Sequence, residues 1–252
     1  MLLPRKFLSI VVLLLALGAA ALLLIQRTTV EPKPADAPAG QPVLGVMGTL
    51  PLFWPEAESP QDLLSSASAP PWPRTALDRH YRLRPLDRLT GEAGLGDLRL
   101  LLLAQPRTLS PAENVALDDW VRAGGRLLLF ADPMLSGKSR FPFGDRRRPQ
   151  AVALLSPILA RWGLELLFAE DQPAGIRNRA VGEIALPVAM AGHFVQRSAA
   201  GGAEAACTLL ADGLVARCTI GAGRALILAD ATVLEGQDAS ETLERLARLA
   251  FD

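Results

Sequence analysis

Residues 98–131 read LRLLLLAQPRTLSPAENVALDDWVRAGGRLLLFA, and this stretch decides the fold. Two apolar runs, at residues 98–104 and 126–131, are short enough for buried strands and are separated by a helical pattern. A strand, a helix and a second strand at this spacing predict a βαβ crossover. We therefore expect an α/β domain with a mostly parallel sheet and helices on both faces.

The helical pattern between these strands carries its own start and stop signals. Ser110 is an N-cap, Pro111 occupies the first turn, and Glu113 completes a capping box. Gly124 and Gly125 end the helix, since glycine adopts the left-handed backbone conformation at little cost. The capping residues thus predict a helix with the same limits as the helical pattern between the two strands.

The rest of the chain predicts further elements around this unit. From residue 184 onwards, short alternating pieces and glycine turns predict antiparallel strands at the sheet edge. The other strands are expected at residues 43–50, 81–86, 164–168 and 225–229, and the other helices at 75–80, 151–162 and from 238 to near the end.

Composition narrows the function classes. The 26 basic and 26 acidic residues among 252 give a formal net charge of zero, so nothing argues for the basic face of a nucleic-acid binder. The one basic run, residues 146–148, is interpreted as a solvated turn, with docking to lipid headgroups or an acidic partner as the alternative.

The first residues predict a membrane anchor. Residues 7–25 contain no charge and suit a helix that crosses a bilayer, which would leave residues 1–6 in the cytoplasm. A cleaved signal peptide is the alternative, but the apolar run continues past the small residues near its middle. Residues 26–41 then form a Pro-rich linker, and residues 42–252 form a periplasmic domain of an inner-membrane protein.

Two cysteines flank a turn signal. If Asp212-Gly213 is a two-residue hairpin turn, Cys207 and Cys218 face each other as a hydrogen-bonded cross-strand pair. In an oxidising periplasm such a pair forms a disulfide, whereas two reduced, half-buried cysteines are the alternative. The spacing alone does not choose between them.

Polar residues follow three of the predicted strands. Asp132 and Asp230 each follow an Ala at the end of similar runs, LLLFAD and ALILAD, and Gln105 follows the strand at 98–104. The carboxyl ends of parallel strands form the edge where ligands bind, so all three are candidate ligand-binding residues. Two carboxylates there could hold a cation or act as acid and base; alternatively, each Asp caps a local turn.

Other chemistry finds little support. Gly137-Lys138-Ser139 resembles the end of a nucleotide-binding loop, but Asp132 stands where that loop needs glycine, and the following SRFPFGDRRRP disfavours a helix. His80 and His193 have no partner by spacing, and no nucleophile elbow follows a strand. We therefore expect no nucleotide, cofactor, metal or catalytic residue.

The stretch LLLAQPRTLSPAENVALDDWVRAGGRLLLFADPML resembles the extracytoplasmic auxiliary component of gliding-motility-type ABC transporters and related small membrane-anchored domains of unknown function. The segments LLSPILARWGLEL and GAGRALILADATVL extend this resemblance, which spans residues 96–235 with gaps.

The resemblance implies a flavodoxin-like, class I glutamine amidotransferase-like fold that lacks the Cys-His-Glu triad. It also implies an accessory or binding role beside ABC transporter subunits or a MoxR-associated system. Two alternatives remain: a periplasmic hydrolase that uses Asp132 and Asp230, and a sugar- or peptide-binding module that uses Trp54 and Trp72.

Overall fold

Eleven strands and five helices are present in the computed structural model, which describes residues 40–56, 69–199, 205–235 and 239–252. The strands are β1 (Val43–Gly48), β2 (Arg82–Pro85), β3 (Leu100–Ala104), β4 (Arg126–Phe130), β5 (Leu164–Phe168), β6 (Arg177–Val181), β7 (Ile184–Val188), β8 (Gly192–Gln196), β9 (Ala205–Leu210), β10 (Val215–Ile220) and β11 (Gly223–Leu228). The helices are α1 (Trp72–Asp78), α2 (Pro111–Arg122), α3 (Ser156–Arg161), α4 (Thr232–Glu235) and α5 (Ser240–Phe251).

Seven strands form one sheet in the order β2-β1-β3-β4-β11-β10-β9. The first five are parallel, and β10 and β9 add an antiparallel edge. The expectation of an α/β fold with a mostly parallel sheet is therefore confirmed. Numbered among themselves, the parallel strands follow the order 2-1-3-4-5 that flavodoxin-like sheets have. Their carboxyl ends lie along one edge, where β4 and β11 are neighbours.

The predicted βαβ unit is formed by β3, α2 and β4. Glu113 N donates to Ser110 Oγ at 3.2 Å, and Ser110 N donates to a Glu113 carboxylate oxygen at 2.9 Å, so the capping box is present. Gly124, just past the helix end, has a φ of 108°, which favours glycine. Local sequence signals alone thus define both ends of α2.

Both faces of the sheet are apolar, and both are buried by other elements. On one face α1, α5 and the β6-β7 hairpin cover the sheet through Leu77, Leu246 and Leu186. On the other face α2, α3, β5 and β8 cover it through Leu117, Trp162 and Phe194. Near-continuous apolar strands of this kind are expected where helices cover both sides.

Several predicted boundaries were wrong. The helix expected at residues 151–162 begins only at Ser156, because Pro157 fits the first turn of a helix but not its interior. The last helix begins at Ser240 with Ala239 as its N-cap, and residue 238 lies outside the described residues. Only β9 and β10 form the antiparallel edge, since β6-β7 and β5-β8 are separate two-stranded sheets.

The hairpin of β9 and β10 follows the predicted register. Cys207 lies opposite Cys218, and their Sγ atoms are bonded at 2.02 Å. Their Cα atoms are 4.0 Å apart. Asp212 and Gly213 both have positive φ, of 54° and 83°, as the turn requires.

The predicted anchor at residues 7–25 and nearly all of the linker at 26–41 lie outside the described residues. Within the part of the chain that the structure describes, no helix is long and apolar enough to cross a membrane.

Candidate functional site

The structure brings the three predicted site residues to one edge of the sheet. Gln105 follows β3, Asp132 follows β4 after one alanine, and Asp230 follows β11 after one alanine. All three are buried, with exposed fractions of 0%, 0% and 1%. The similar runs LLLFAD and ALILAD are thus two neighbouring parallel strands, each followed by an Ala and an Asp.

The Gln105 amide is fully engaged with backbone. Its Nε2 donates to the carbonyl oxygens of Asp132 and Gln150, both at 2.9 Å, and its Oε1 accepts from the Asp132 backbone N–H at 2.8 Å. Its backbone has a φ of 47°, in the left-handed region that few non-glycine residues occupy. Gln105 therefore joins the end of β3 to the end of β4 and to the loop that follows.

The Asp132 carboxylate also binds backbone. Its Oδ1 accepts from Met134 N at 2.8 Å, which closes a local turn, and its Oδ2 accepts from Ala231 N at 3.0 Å. Burial raises the pKa of Asp132 to about 6, although both hydrogen bonds act in the opposite direction.

Asp230 has the same arrangement one strand further along. Its Oδ1 accepts from Thr232 N at 2.8 Å and its Oδ2 from Ala189 N at 3.0 Å, so it ties the end of β11 to the segment after β7. Burial, followed by the nearby charge of Asp132, raises the pKa of Asp230 to about 7. The two carboxylates are thus close enough to interact, but each faces backbone donors.

A third acidic side chain, Glu235 at the end of α4, was missed by the sequence analysis. Burial and then the charge of Asp132 raise its pKa to about 7, while a hydrogen bond from the Gly137 backbone N–H lowers it. Its carboxylate occupies the space that a side chain at Gly137 would need. The only signal in the sequence is an acidic residue five positions after Asp230; nothing local indicates the contact with Gly137.

Glu235 lines a pocket of about 390 Å³ beside this edge. The walls come from the loop after β1, the start of α1, the loop after β4 and α4. Ten lining residues are apolar, namely Leu50, Pro51, Pro55, Pro71, Trp72, Pro73, Leu135, Pro149, Ala151 and Leu234, and five are charged, namely Glu56, Lys138, Arg140, Arg148 and Glu235. Asp132 and Asp230 do not line this pocket. A ligand there would meet Trp72 and Glu235, and not the predicted carboxylate pair.

Gly137, Lys138 and Ser139 form part of the wall of the same pocket. No helix follows Lys138, since residues 139–155 are irregular until α3 begins. The adjoining Arg140 N donates to a Glu56 carboxylate oxygen at 2.7 Å. This segment therefore lacks the helix N-terminus with which nucleotide-binding loops hold phosphate.

The histidines lie on other elements. His80, just after α1, has its Nε2 at 3.3 Å from a carboxylate oxygen of Glu244 on α5, and His193 lies on β8. Within the described ranges, no three His, Cys, Asp or Glu side chains form a group that could hold a metal ion. The described edge thus offers buried, backbone-bound carboxyl groups and, beside them, a pocket lined by apolar and charged side chains.

Comparison with known families gives one match. Residues 63–169 match the model of an ABC transporter auxiliary family, described as an ABC-type uncharacterized transport system. The matched part runs from before α1 to the residue after β5 and contains the whole βαβ unit. It supports the resemblance found in the sequence within that range, while residues 170–235 of the resemblance lie beyond it. Among curated proteins, nothing matches the chain.

Similar solved structures have low sequence identity. An exo-β-1,4-mannosidase from an Opitutaceae bacterium is 16% identical, with a TM-score of 0.43 over 83% of this chain. A cytoplasmic protein from Salmonella typhimurium is 11% identical, with a TM-score of 0.44 over 83% of this chain and 99% of its own. A protein from Parabacteroides merdae described as ThuA-like is 9% identical, with a TM-score of 0.37 over 84% of this chain and 90% of its own. The chain spans only 35% of the mannosidase's length.

Proposed function

We propose that this chain is a membrane-anchored periplasmic accessory or binding domain without enzymatic activity, which serves an ABC-type transport or envelope assembly system. One observation supports the absence of catalysis at the predicted carboxylate pair. The four carboxylate oxygens of Asp132 and Asp230 each accept a hydrogen bond from a backbone N–H, so both side chains brace the ends of β4 and β11. A general acid or base must instead reach a substrate proton.

The same proposal assigns the domain to the flavodoxin-like, class I glutamine amidotransferase-like group. The strand order 2-1-3-4-5 supports this assignment. The triad of those enzymes needs a cysteine thiolate, but the chain has two cysteines and the disulfide uses both of them. The fold would therefore be present without its nucleophile.

The periplasmic location is proposed from two features. The Cys207–Cys218 disulfide supports it, because structural disulfides persist in oxidising compartments. The uncharged apolar run at residues 7–25 supports an anchor in the inner membrane.

The partner is proposed from the family match at residues 63–169. ABC transporter subunits are the first candidates, and a MoxR-associated system is the alternative that the sequence resemblance offers.

Crosslinking in intact membranes tests this function. The full chain would carry a photoreactive residue at exposed Val115 on α2, or at exposed Ile176 before β6, and would be purified with whatever it crosslinks. Recovery of ABC-type or other envelope subunits from at least one site is the expected result. Failure to recover an envelope partner at any exposed site would contradict the accessory role.

A second candidate is a sugar- or peptide-binding module, which the aromatic residues of the early loop favour. Trp54 is 67% exposed, and Trp72 lines the pocket together with Glu235. Pockets of a few hundred cubic ångströms that combine apolar and aromatic walls with polar groups are typical of small-ligand sites. Titration with soluble oligosaccharides and short peptides, compared between the native chain and Trp72→Ala, tests this candidate. The hydrolase alternative that uses Asp132 and Asp230 is not favoured among the described residues, because backbone N–H groups occupy all four of their carboxylate oxygens.

A further inference from the structure

A long irregular segment connects β4 to α3, and the proposed accessory role makes no use of it. Leu135 N donates to Ala151 O at 2.9 Å, and Ala153 N donates to Asp132 O at 2.8 Å, so two backbone hydrogen bonds close its base. We call residues 135–151 the Arg-Phe loop. Its base is thus fixed to the buried carboxyl edge of the sheet.

The Arg-Phe loop is strongly basic in a chain of zero net charge. It contains five basic residues and one acidic residue, namely Lys138, Arg140, Arg146, Arg147, Arg148 and Asp145. Asp145 accepts from Arg147 at 2.7 Å, and Glu56 accepts from the backbone of Arg140. Lys138 and Arg146 are both exposed. Positive charge is therefore concentrated at this place.

Apolar side chains are exposed at the same place. Phe143, near the tip, is 85% exposed, and Met134, Val152 and Leu154, beside the base, are 43%, 43% and 50% exposed. Among the described residues, four of the eight large apolar side chains that are exposed belong to residues 134–154. Single exposed apolar residues are ordinary, but half of those described here lie in one 21-residue segment that also carries the basic side chains.

Two arginines of the loop pack against its two aromatic rings. The guanidinium carbon of Arg147 lies 4.2 Å from the Phe141 ring centroid, and that of Arg148 lies 4.3 Å from the Phe143 ring centroid. Arg148 Nη1 also donates to the Phe141 carbonyl at 2.7 Å. Phe141 is buried, so Phe143 alone presents an aromatic surface, with the Arg148 guanidinium beside it.

We infer that the Arg-Phe loop docks onto an anionic lipid bilayer, with Phe143 entering the interface and the surrounding basic side chains meeting lipid phosphates. Aromatic side chains suit the headgroup boundary, and each Lys or Arg near an anionic surface adds attraction. Phe143 is the most exposed large apolar side chain among the described residues, and an aromatic ring with a cation beside it suits the charged headgroup boundary of a bilayer. The inference rests on the proposed function in that the anchor at residues 7–25 keeps a bilayer close to the domain.

A fluorophore that senses polarity can test the docking in the full chain. Both native cysteines are bonded to each other, so Pro142→Cys gives one reactive thiol beside an intact Phe143. The labelled chain is reconstituted into vesicles of phosphatidylcholine alone or with added phosphatidylglycerol. We expect a shift to shorter wavelength, and quenching by nitroxide lipids, only in the anionic vesicles. Arg146→Ala should weaken the docking equilibrium about fivefold, and Phe143→Ser should abolish the shift.

A label at Val115→Cys on α2 is the matched control and should report water in both vesicle types. Flotation with phosphatidylcholine vesicles measures membrane association through the anchor alone. A chain that does not float lacks the anchor, whereas a chain that floats but shows no spectral shift with anionic lipid lacks loop docking. The inference is overturned if the label at residue 142 stays in water with anionic lipid. It is also overturned if that label responds equally to neutral lipid, or only when another envelope protein is added.

Discussion

The carboxylate of Asp132 accepts a hydrogen bond from the backbone N–H of Ala231 at 3.0 Å, across 99 residues of sequence. This bond joins the segments that follow β4 and β11. Asp230 in turn accepts a hydrogen bond from Ala189 N, which joins the end of β11 to the segment after β7. The edge at which open α/β sheets bind ligands is therefore held together here by its own acidic side chains.

The first prediction concerns Asp230 and pH. Burial, followed by the charge of Asp132, raises the pKa of Asp230 from 3.8 to about 7. The folded chain keeps this proton where the unfolded chain has lost it, so this contribution to stability is full below about pH 4 and is lost as the pH rises through about 7. Asp230→Asn should therefore flatten the fall in the free energy of unfolding across this window, which is roughly 1 to 4 kcal/mol in size.

Urea denaturation at a series of pH values measures this slope. Asp171→Asn, at an exposed position, controls for the loss of an acidic residue. If Asp230→Asn and the native chain show the same dependence on pH, then Asp230 is not held protonated by the fold.

The second prediction concerns Glu113. Its carboxylate accepts from Arg107, from Ser110 N and from Leu89 N, and the bonds from Arg107 are the main reason that its pKa falls to about 2. The stabilisation is present above about pH 4.5 and is lost as the pH falls towards 2. Glu113→Gln should cost about 1 to 3 kcal/mol at neutral pH, and this cost should shrink in acid.

Glu165 provides the comparison, since its ion pair with Arg197 is exposed on both sides. Glu165→Gln should change the free energy of unfolding by less than about 1 kcal/mol. Equal effects of the two substitutions would contradict the structural role given to Glu113.

The third prediction concerns the disulfide. Cys207 and Cys218 are 11 residues apart, and closing a loop of this size restricts the unfolded chain by about 3 kcal/mol. The Cys207→Ser, Cys218→Ser double variant should lose about this much stability. Thiol titration of the native chain should find no free thiol, and a reductant should destabilise the native chain but not the variant. Two titratable thiols in protein isolated from the periplasm would refute the assignment.

The fourth prediction compares two glycines. A side chain at Gly48 would overlap the Ala104 carbonyl oxygen, which belongs to the neighbouring strand and cannot move alone. A side chain at Gly137 would overlap the end of Glu235, which is flexible. Gly48→Ala should therefore destabilise the fold by several times more than Gly137→Ala. Thermal unfolding of both variants measures this, and a larger loss for Gly137→Ala would contradict the geometry.

The sequence alone could predict the centre of the fold because its signals there are local. Ser110 and Glu113 are three residues apart, and each apolar run near α2 specifies a strand by itself. The pairing of β5 with β8 could not be predicted, since Leu164 and Gln196 meet only through tertiary packing. The register of the β9-β10 hairpin could be predicted although its strands are paired, because one local turn sets the alignment of every residue pair.

The candidate site was predictable only in part. The two Ala-Asp steps correctly placed Asp132 and Asp230 on neighbouring strand ends. Their hydrogen-bond partners, Ala231 and Ala189, depend on how distant segments fold back. Glu235 and its contact with Gly137 depend on the same folding, so no pattern in the sequence signalled that the pocket lies beside these carboxylates.

The measurement that tests the central claim most directly is the partner recovered by crosslinking in membranes, compared between the native chain and the Asp132→Asn, Asp230→Asn double variant. Recovery is expressed per molecule of folded protein, since the variant loses stability. An accessory domain whose carboxylates only brace the sheet predicts that both forms recover the same envelope transport subunits in equal amounts. Absence of any envelope partner from the native chain would contradict this account, as would a hydrolytic activity of the native chain that the folded variant lacks.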